Sequence, residues 1–119
     1  MAKKKQAKAT TEAKVKTKAK KPTTAYELVP KLGQLRDDVL FGDIWERTDL
    51  SKRDRSLITV AVLTAMYRTP ELKGHMKRAL DNGVTEEEIK GLITHLAFYS
   101  GWPTAVNAGR VALEVFDLD

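Results

Sequence analysis

Residues 51–68 read SKRDRSLITVAVLTAMYR, and their reading decides the fold class. Ser51 stands three residues before Asp54. A hydroxyl there can accept the third helical amide while the carboxylate reaches back, which is a capping box. The predicted helix, about 52–68, carries Leu57, Ile58, Val60, Ala61, Val62, Leu63, Ala65 and Met66 on every side. A helix that is apolar all round is one that expects burial all round. The run is too short and too interrupted, by Thr59 and Thr64, for a membrane span of roughly 20 apolar residues.

Outward from that stretch the helical signals continue. Upstream, Leu28, Leu32, Leu35, Val39 and Leu40 recur at helical spacing behind Pro30, and Gly42 interrupts before Ile44 and Trp45. A bend or second short helix is expected there. Downstream, Thr69-Pro70 reads as an N-cap with proline in the first turn, and Leu72, Met76, Ala79 and Leu80 follow on one face. Asn82-Gly83 ends that helix. Thr85 with Glu88 forms a second capping box ahead of Ile89, Leu92, Ile93, Leu96 and Ala97. Ser100-Gly101 ends it, and Pro103 opens a last helix through Ala105, Val106, Val111, Leu113, Val115 and Phe116. No period-two strand pattern competes. The body is all-α, with five to six helices.

The charge is unevenly spread. The 119 residues hold 21 Lys+Arg against 16 Asp+Glu, a formal net of +5. Residues 1–22 carry nine lysines against the single acid Glu12, so residues 23–119 are net −3. The first segment, rich in Lys, Ala and Thr, has too little apolar surface to offset its ordering entropy and is expected to be a disordered tail. It reads as a solvated extension. A weak contact with nucleic acid or an anionic surface through its lysines is the alternative reading. The N-terminal charges are followed by Lys, Ala and Thr and not by an apolar run, so a cytoplasmic protein with no membrane contact is expected.

The chain has no cysteine. That excludes disulfides, thiolate nucleophiles and Cys-based zinc sites in one step. Two histidines, several carboxylates and a few arginines remain for chemistry. Glu71 and His75 are four apart and share a helix face, where a carboxylate can orient an imidazole and raise its basicity. The same spacing also describes an ordinary helix-stabilising pair. His95, between Thr94 and Leu96, reads as a core or interface histidine. A zinc site from Glu71, His75 and His95 matches no standard ligand spacing. Arg55 lies beside the apolar run and needs an anion, either a Glu71-like carboxylate or one from a substrate. Trp45, Tyr99 and Trp102 are candidate pocket walls. There is no phosphate-cradling glycine loop and no nucleophile elbow.

An apolar helix cannot readily be surrounded by four or five short neighbours within about 97 residues. Burial of the remainder against another copy resolves this, so a homo-oligomer is expected.

In order, Gly42-Asp43-Ile44-Trp45-Glu46-Arg47, Arg55-Ser56-Leu57-Ile58-Thr59-Val60-Ala61, Glu71-Leu72-Lys73-Gly74-His75, Asn82-Gly83-Val84-Thr85 and Tyr99-Ser100-Gly101-Trp102-Pro103 resemble the carboxymuconolactone decarboxylase family. The resemblance runs from about Leu28 to Phe116 and leaves out the tail. It implies an antiparallel helix-pair core of the alkylhydroperoxidase D-like type, assembled as trimers or hexamers. The family's thiol-peroxidase branch uses a Cys-x-x-Cys; the corresponding positions here are Arg68 and Glu71, so that chemistry is excluded. The other branch decarboxylates 4-carboxymuconolactone without a cofactor.

That branch implies His75 as proton donor, Glu71 as its orienting partner and Arg55 as the group binding a substrate carboxylate. Trp45, Arg47, Ser56, Tyr99 and Trp102 would complete the substrate site, and the partner would be a small carboxylate or lactone. Two positions depart from the decarboxylase pattern. Thr48 stands where those proteins tend to carry Pro, and Val106 where they tend to carry Asn. A family member with different or no catalysis, serving as a small-ligand-binding or assembly module, is the alternative function.

Overall fold

The computed structural model describes residues 21–117. Nearly all of the lysine-rich tail therefore lies outside the described residues. Among these residues there are six α-helices, a π-helical turn and a 3-10 turn, with no strand. Helix α1 is Ala25–Leu28 and α2 is Pro30–Leu35, followed by the π-helical turn Arg36–Phe41 and the 3-10 turn Ile44–Glu46. Four longer helices follow: α3 (Lys52–Ala65), α4 (Thr69–Asp81), α5 (Glu86–Tyr99) and α6 (Trp102–Val115). No helix of the described residues is long and apolar enough to cross a membrane.

Helices α3 to α6 form the body. α3 packs on α4, α5 packs on α6, and α6 also packs on α4. Their shared core is Val60, Leu72, Met76, Ala79, Val84, Ile89, Ala108, Val111, Ala112 and Phe116, each less than a tenth exposed.

The expected breaks fall where the chemistry of the backbone puts them. Thr24 caps α1 by accepting from the Glu27 amide at 3.1 Å. Pro30, which has no amide to donate, starts α2 without loss. Gly42 follows the π-helical turn, and a Cβ there would lie 2.6 Å from the Asp38 carbonyl oxygen, so any side chain would collide with backbone. Gly83 adopts φ +102 after α4, a conformation other residues rarely take.

Capping differs from expectation in two places. Ser51 accepts from the Asp54 amide at 3.0 Å, but Asp54 turns to Arg53 and completes no reciprocal bond. Aspartate is one methylene shorter than the glutamate that makes this motif reliable. At α5 the motif closes both ways, through Thr85 and Glu88. Thr69 is not a cap: α4 begins at Thr69 itself, after Arg68, and the Thr69 hydroxyl accepts from Asn107 of α6 at 3.0 Å.

The largest correction concerns α3. It ends at Ala65, short of residue 68, where Tyr67 enters the left-handed region at φ +60. Within one chain it is not buried on every side. Only Ser56, Val60 and Thr64 are fully covered, a stripe of period four facing its neighbours. Ile58, Val62 and Met66 on the opposite side are about half exposed. Among the described residues α4, α5, α6 and the 3-10 turn pack on α3, and they leave the face of Ile58, Val62 and Met66 open.

Candidate functional site

Three segments carry Trp45, Arg47, Arg55, Glu71 and His75: the 3-10 turn with the loop behind it, the first turns of α3, and the first two turns of α4. Ser51 starts α3, and the Arg55 amide donates to the Ser51 carbonyl at 2.9 Å. The Arg55 side chain, only 12 % exposed, runs back beneath the loop. Its Nη2 donates to Asp49 Oδ1 at 2.6 Å and to the Arg47 carbonyl at 3.3 Å. Its Nε is buried and has no hydrogen-bond partner. The anion that holds Arg55 is thus Asp49 of the same chain, in place of the expected Glu71-like carboxylate.

Asp49 is shared. Arg47 Nε and Nη2 donate to its Oδ2 at 3.2 and 3.0 Å. Hydrogen bonding from Arg47, and then the bond from Arg55, holds its carboxyl below the ordinary carboxylate range. Both Arg47 and Asp49 are more than half exposed, whereas Arg55 is not.

Beside Arg55 lies a cavity of about 130 Å³ lined by Trp45, Leu50, Arg55, Ile58 and Thr59. Trp45, 8 % exposed, forms its inner wall. The indole also stacks on the His75 ring, with centroids 6.4 Å apart and planes 25° apart, and leans on Phe41 at 6.0 Å. Trp45 is therefore the physical link between the arginine and the histidine.

His75 is half-buried, and its Nδ1 is buried without a hydrogen-bond partner. Burial pushes its pKa below the ordinary value; the Arg78 guanidinium, one helical turn on, pushes the same way. The Glu71 charge pulls it back up. Glu71 is exposed and makes no hydrogen bond to His75, so its influence on the imidazole is one of charge alone. Arg78 also covers the Phe41 ring at 4.5 Å and reaches to 5.9 Å from Trp45.

The other expected site residues lie elsewhere in the chain. Ser56 is fully buried, and its Oγ accepts from Asn82 Nδ2 at 2.9 Å, which ties α3 to the end of α4. Tyr99 and Trp102 are 79 % and 65 % exposed at the α5–α6 turn. Trp102 meets Phe98 edge-on there and lines a separate cavity of about 230 Å³. His95 is not a core residue of this chain. It is exposed, lies 4.7 Å from the Tyr99 ring, and borders an apolar groove of about 400 Å³ between α3 and α5. No three His, Cys, Asp or Glu side chains of the described residues are grouped to hold a metal. The α3–α5 groove and a similar one along the N-terminal helices are larger than the Arg55 cavity. What singles out the smaller cavity is the arginine in its otherwise mostly apolar wall, not its volume.

Sequence reasoning missed Asp49, Thr59 and Arg78. Arg78 was findable, because a cation three residues from a histidine shares its helix face. Asp49 carried no such signal, since a loop has no period.

The model of the carboxymuconolactone decarboxylase family matches residues 30–114. The 4-carboxymuconolactone decarboxylase of Acinetobacter baylyi is 43% identical over 76 residues, covering 64% of this chain and 57% of that protein. The nitrosuccinic acid decarboxylase of Metarhizium robertsii is 37% identical over 68 residues, covering 57% and 48%. An uncharacterized 15.0 kDa protein of Paracoccus denitrificans is 27% identical over 92 residues, covering 76% and 69%. The chain spans about half the length of the two decarboxylases it matches.

Proposed function

Because the chain belongs to the carboxymuconolactone decarboxylase family, we propose that it is a cofactor-free carboxy-lyase acting on 4-carboxymuconolactone or a related small carboxylated lactone. The observation that carries this reading is the nearly buried Arg55, with an unpartnered Nε, beside an indole that stacks on a half-buried histidine.

Arg55 receives a carboxylate of the substrate by charge-assisted hydrogen bonds. The bond from the ring carbon to the departing carboxylate breaks, and CO2 leaves. The electron pair spreads through the ring alkene onto the lactone carbonyl oxygen, so no cofactor is needed as an electron sink. His75 then delivers a proton to carbon, giving the enol-lactone of 3-oxoadipate. Trp45 keeps water from one side of the reacting carboxylate, and Glu71 favours the protonated imidazole by its charge. Nitrosuccinic acid fits the same scheme, since its nitro group accepts an electron pair as a conjugated carbonyl does. Carboxylates whose departing electron pair can delocalise into an electron acceptor, directly or through an alkene, are the substrate class.

The exposed Ile58, Val62 and Met66 favour a homo-oligomer, for which the family resemblance implies a trimer or hexamer of the alkylhydroperoxidase D-like type. Ile58 lines both the α3–α5 groove and the Arg55 cavity, so a second copy on that face would help enclose the site.

A second reading rests on the last helix. Asn107, one position beyond the expected asparagine, is engaged by Thr69, and Val106 holds the expected place. This favours a family member that binds a different small ligand, with or without turnover. Consumption of 4-carboxymuconolactone, followed together with CO2 release, separates the readings. Wild type should turn over, and His75→Gln should lose at least about a hundredfold in kcat, the range typical of a proton-transfer group. Full activity in His75→Gln removes that role. A wild type that binds the lactone without releasing CO2 establishes the second reading.

A further inference from the structure

Asp49 holds Arg55 at a single point, through Nη2, and leaves the adjacent Nε buried with no partner. A guanidinium prefers a carboxylate across two neighbouring donors, and a buried donor left unmatched is costly. The partly satisfied side of Arg55 belongs to a residue that lines the 130 Å³ cavity with Trp45, Leu50, Ile58 and Thr59. Asp49 itself is exposed, on a bend between the 3-10 turn and α3. Its second oxygen is already bound by Arg47 through two donors, so release from Arg55 would not strand its charge.

We propose that Asp49 stands in for the substrate's carboxylate on Arg55, and that an incoming carboxylate takes Nε and Nη2 while Asp49 withdraws onto Arg47. Asp49 is on this account a specificity-determining competitor. It keeps the arginine positioned between turnovers, and it excludes anions too weak to displace it. Neutral analogues gain nothing from the exchange. The inference rests on Arg55 being the carboxylate receptor of the proposed reaction.

The test uses the full chain, with 2-furoate as a small ring carboxylate and 2-furamide as its neutral counterpart, titrated by calorimetry. Asp49→Asn should tighten 2-furoate binding about five-fold, because the receptor is no longer part-occupied by its own chain. The amide should bind equally to both proteins. Arg55→Gln should abolish the preference for furoate over furamide. If binding needs Arg55 yet Asp49→Asn leaves it unchanged or weaker, Asp49 is a structural partner and the proposal falls, while the reading of Arg55 stands. If Arg55→Gln binds furoate like wild type, the assignment of Arg55 falls with it. Asp49→Ser repeats the comparison without the amide, so a folding defect peculiar to one variant is recognised by circular dichroism.

Discussion

At the scale of single residues, His75 shows how environment sets chemistry. Desolvation and Arg78 both disfavour the imidazolium, and the opposing charge of Glu71 is exposed to solvent. Its pKa therefore lies below the ordinary 6.5. If the protonated ring donates to carbon, kcat/KM is highest in acid and falls as pH rises through this lowered value. Arg78→Gln removes a repulsion and should move the falling limb to higher pH; Glu71→Gln should move it lower. A pH–rate profile beside an NMR titration of the His75 ring checks both shifts. For stability the sign is opposite. The unfolded chain binds this proton more readily, so His75 opposes folding increasingly as pH drops below about 6.5. The spacing of Glu71 and His75 was legible in the sequence, but the absence of a hydrogen bond between them was not. Sharing a helix face sets proximity, and rotamers and solvent decide contact.

At the scale of elements, the body depends on a few polar ties between helices. Asn82, just past α4, donates to Ser56 of α3, a serine with no exposure at all. Asn82→Ala leaves that hydroxyl buried and unmatched and should cost about 1–3 kcal/mol of unfolding free energy in urea titrations. Ser56→Ala in the Asn82→Ala background should recover part of the loss, since the stranded group is then gone. Helix boundaries followed local chemistry where that chemistry was complete. Thr85 with Glu88 and Gly83 behaved as their types require. Thr69 did not, because Asn107, 38 residues away in sequence, claims its hydroxyl. A tertiary partner of that kind leaves no trace in local pattern.

At the scale of the whole molecule, apolar surface remains to be covered. Ile58, Val62 and Met66 on α3, Phe98, Tyr99 and Trp102 at the α5–α6 turn, and Leu28, Leu32, Leu35 and Val39 on the N-terminal segment are each about 40 % exposed or more. If the proposed homo-oligomer forms through the α3 face, Ile58→Glu, which puts a charge at its centre, should shift sedimentation velocity to smaller species than wild type while the far-UV helix signal persists. Retention of one unchanged large species would show that this face is not the contact. The sequence by itself determined an all-helical body, a separate basic segment, the exclusion of thiol chemistry and the pairing of a buried arginine with an anion. Each follows from composition or from a period that repeats within one element. Only the tertiary structure decided that the anion is Asp49, that Trp45 joins Arg55 to His75, and that Tyr99 and Trp102 lie apart from them. Those facts depend on how distant segments meet, and a helical period specifies which face is apolar without saying what it will face.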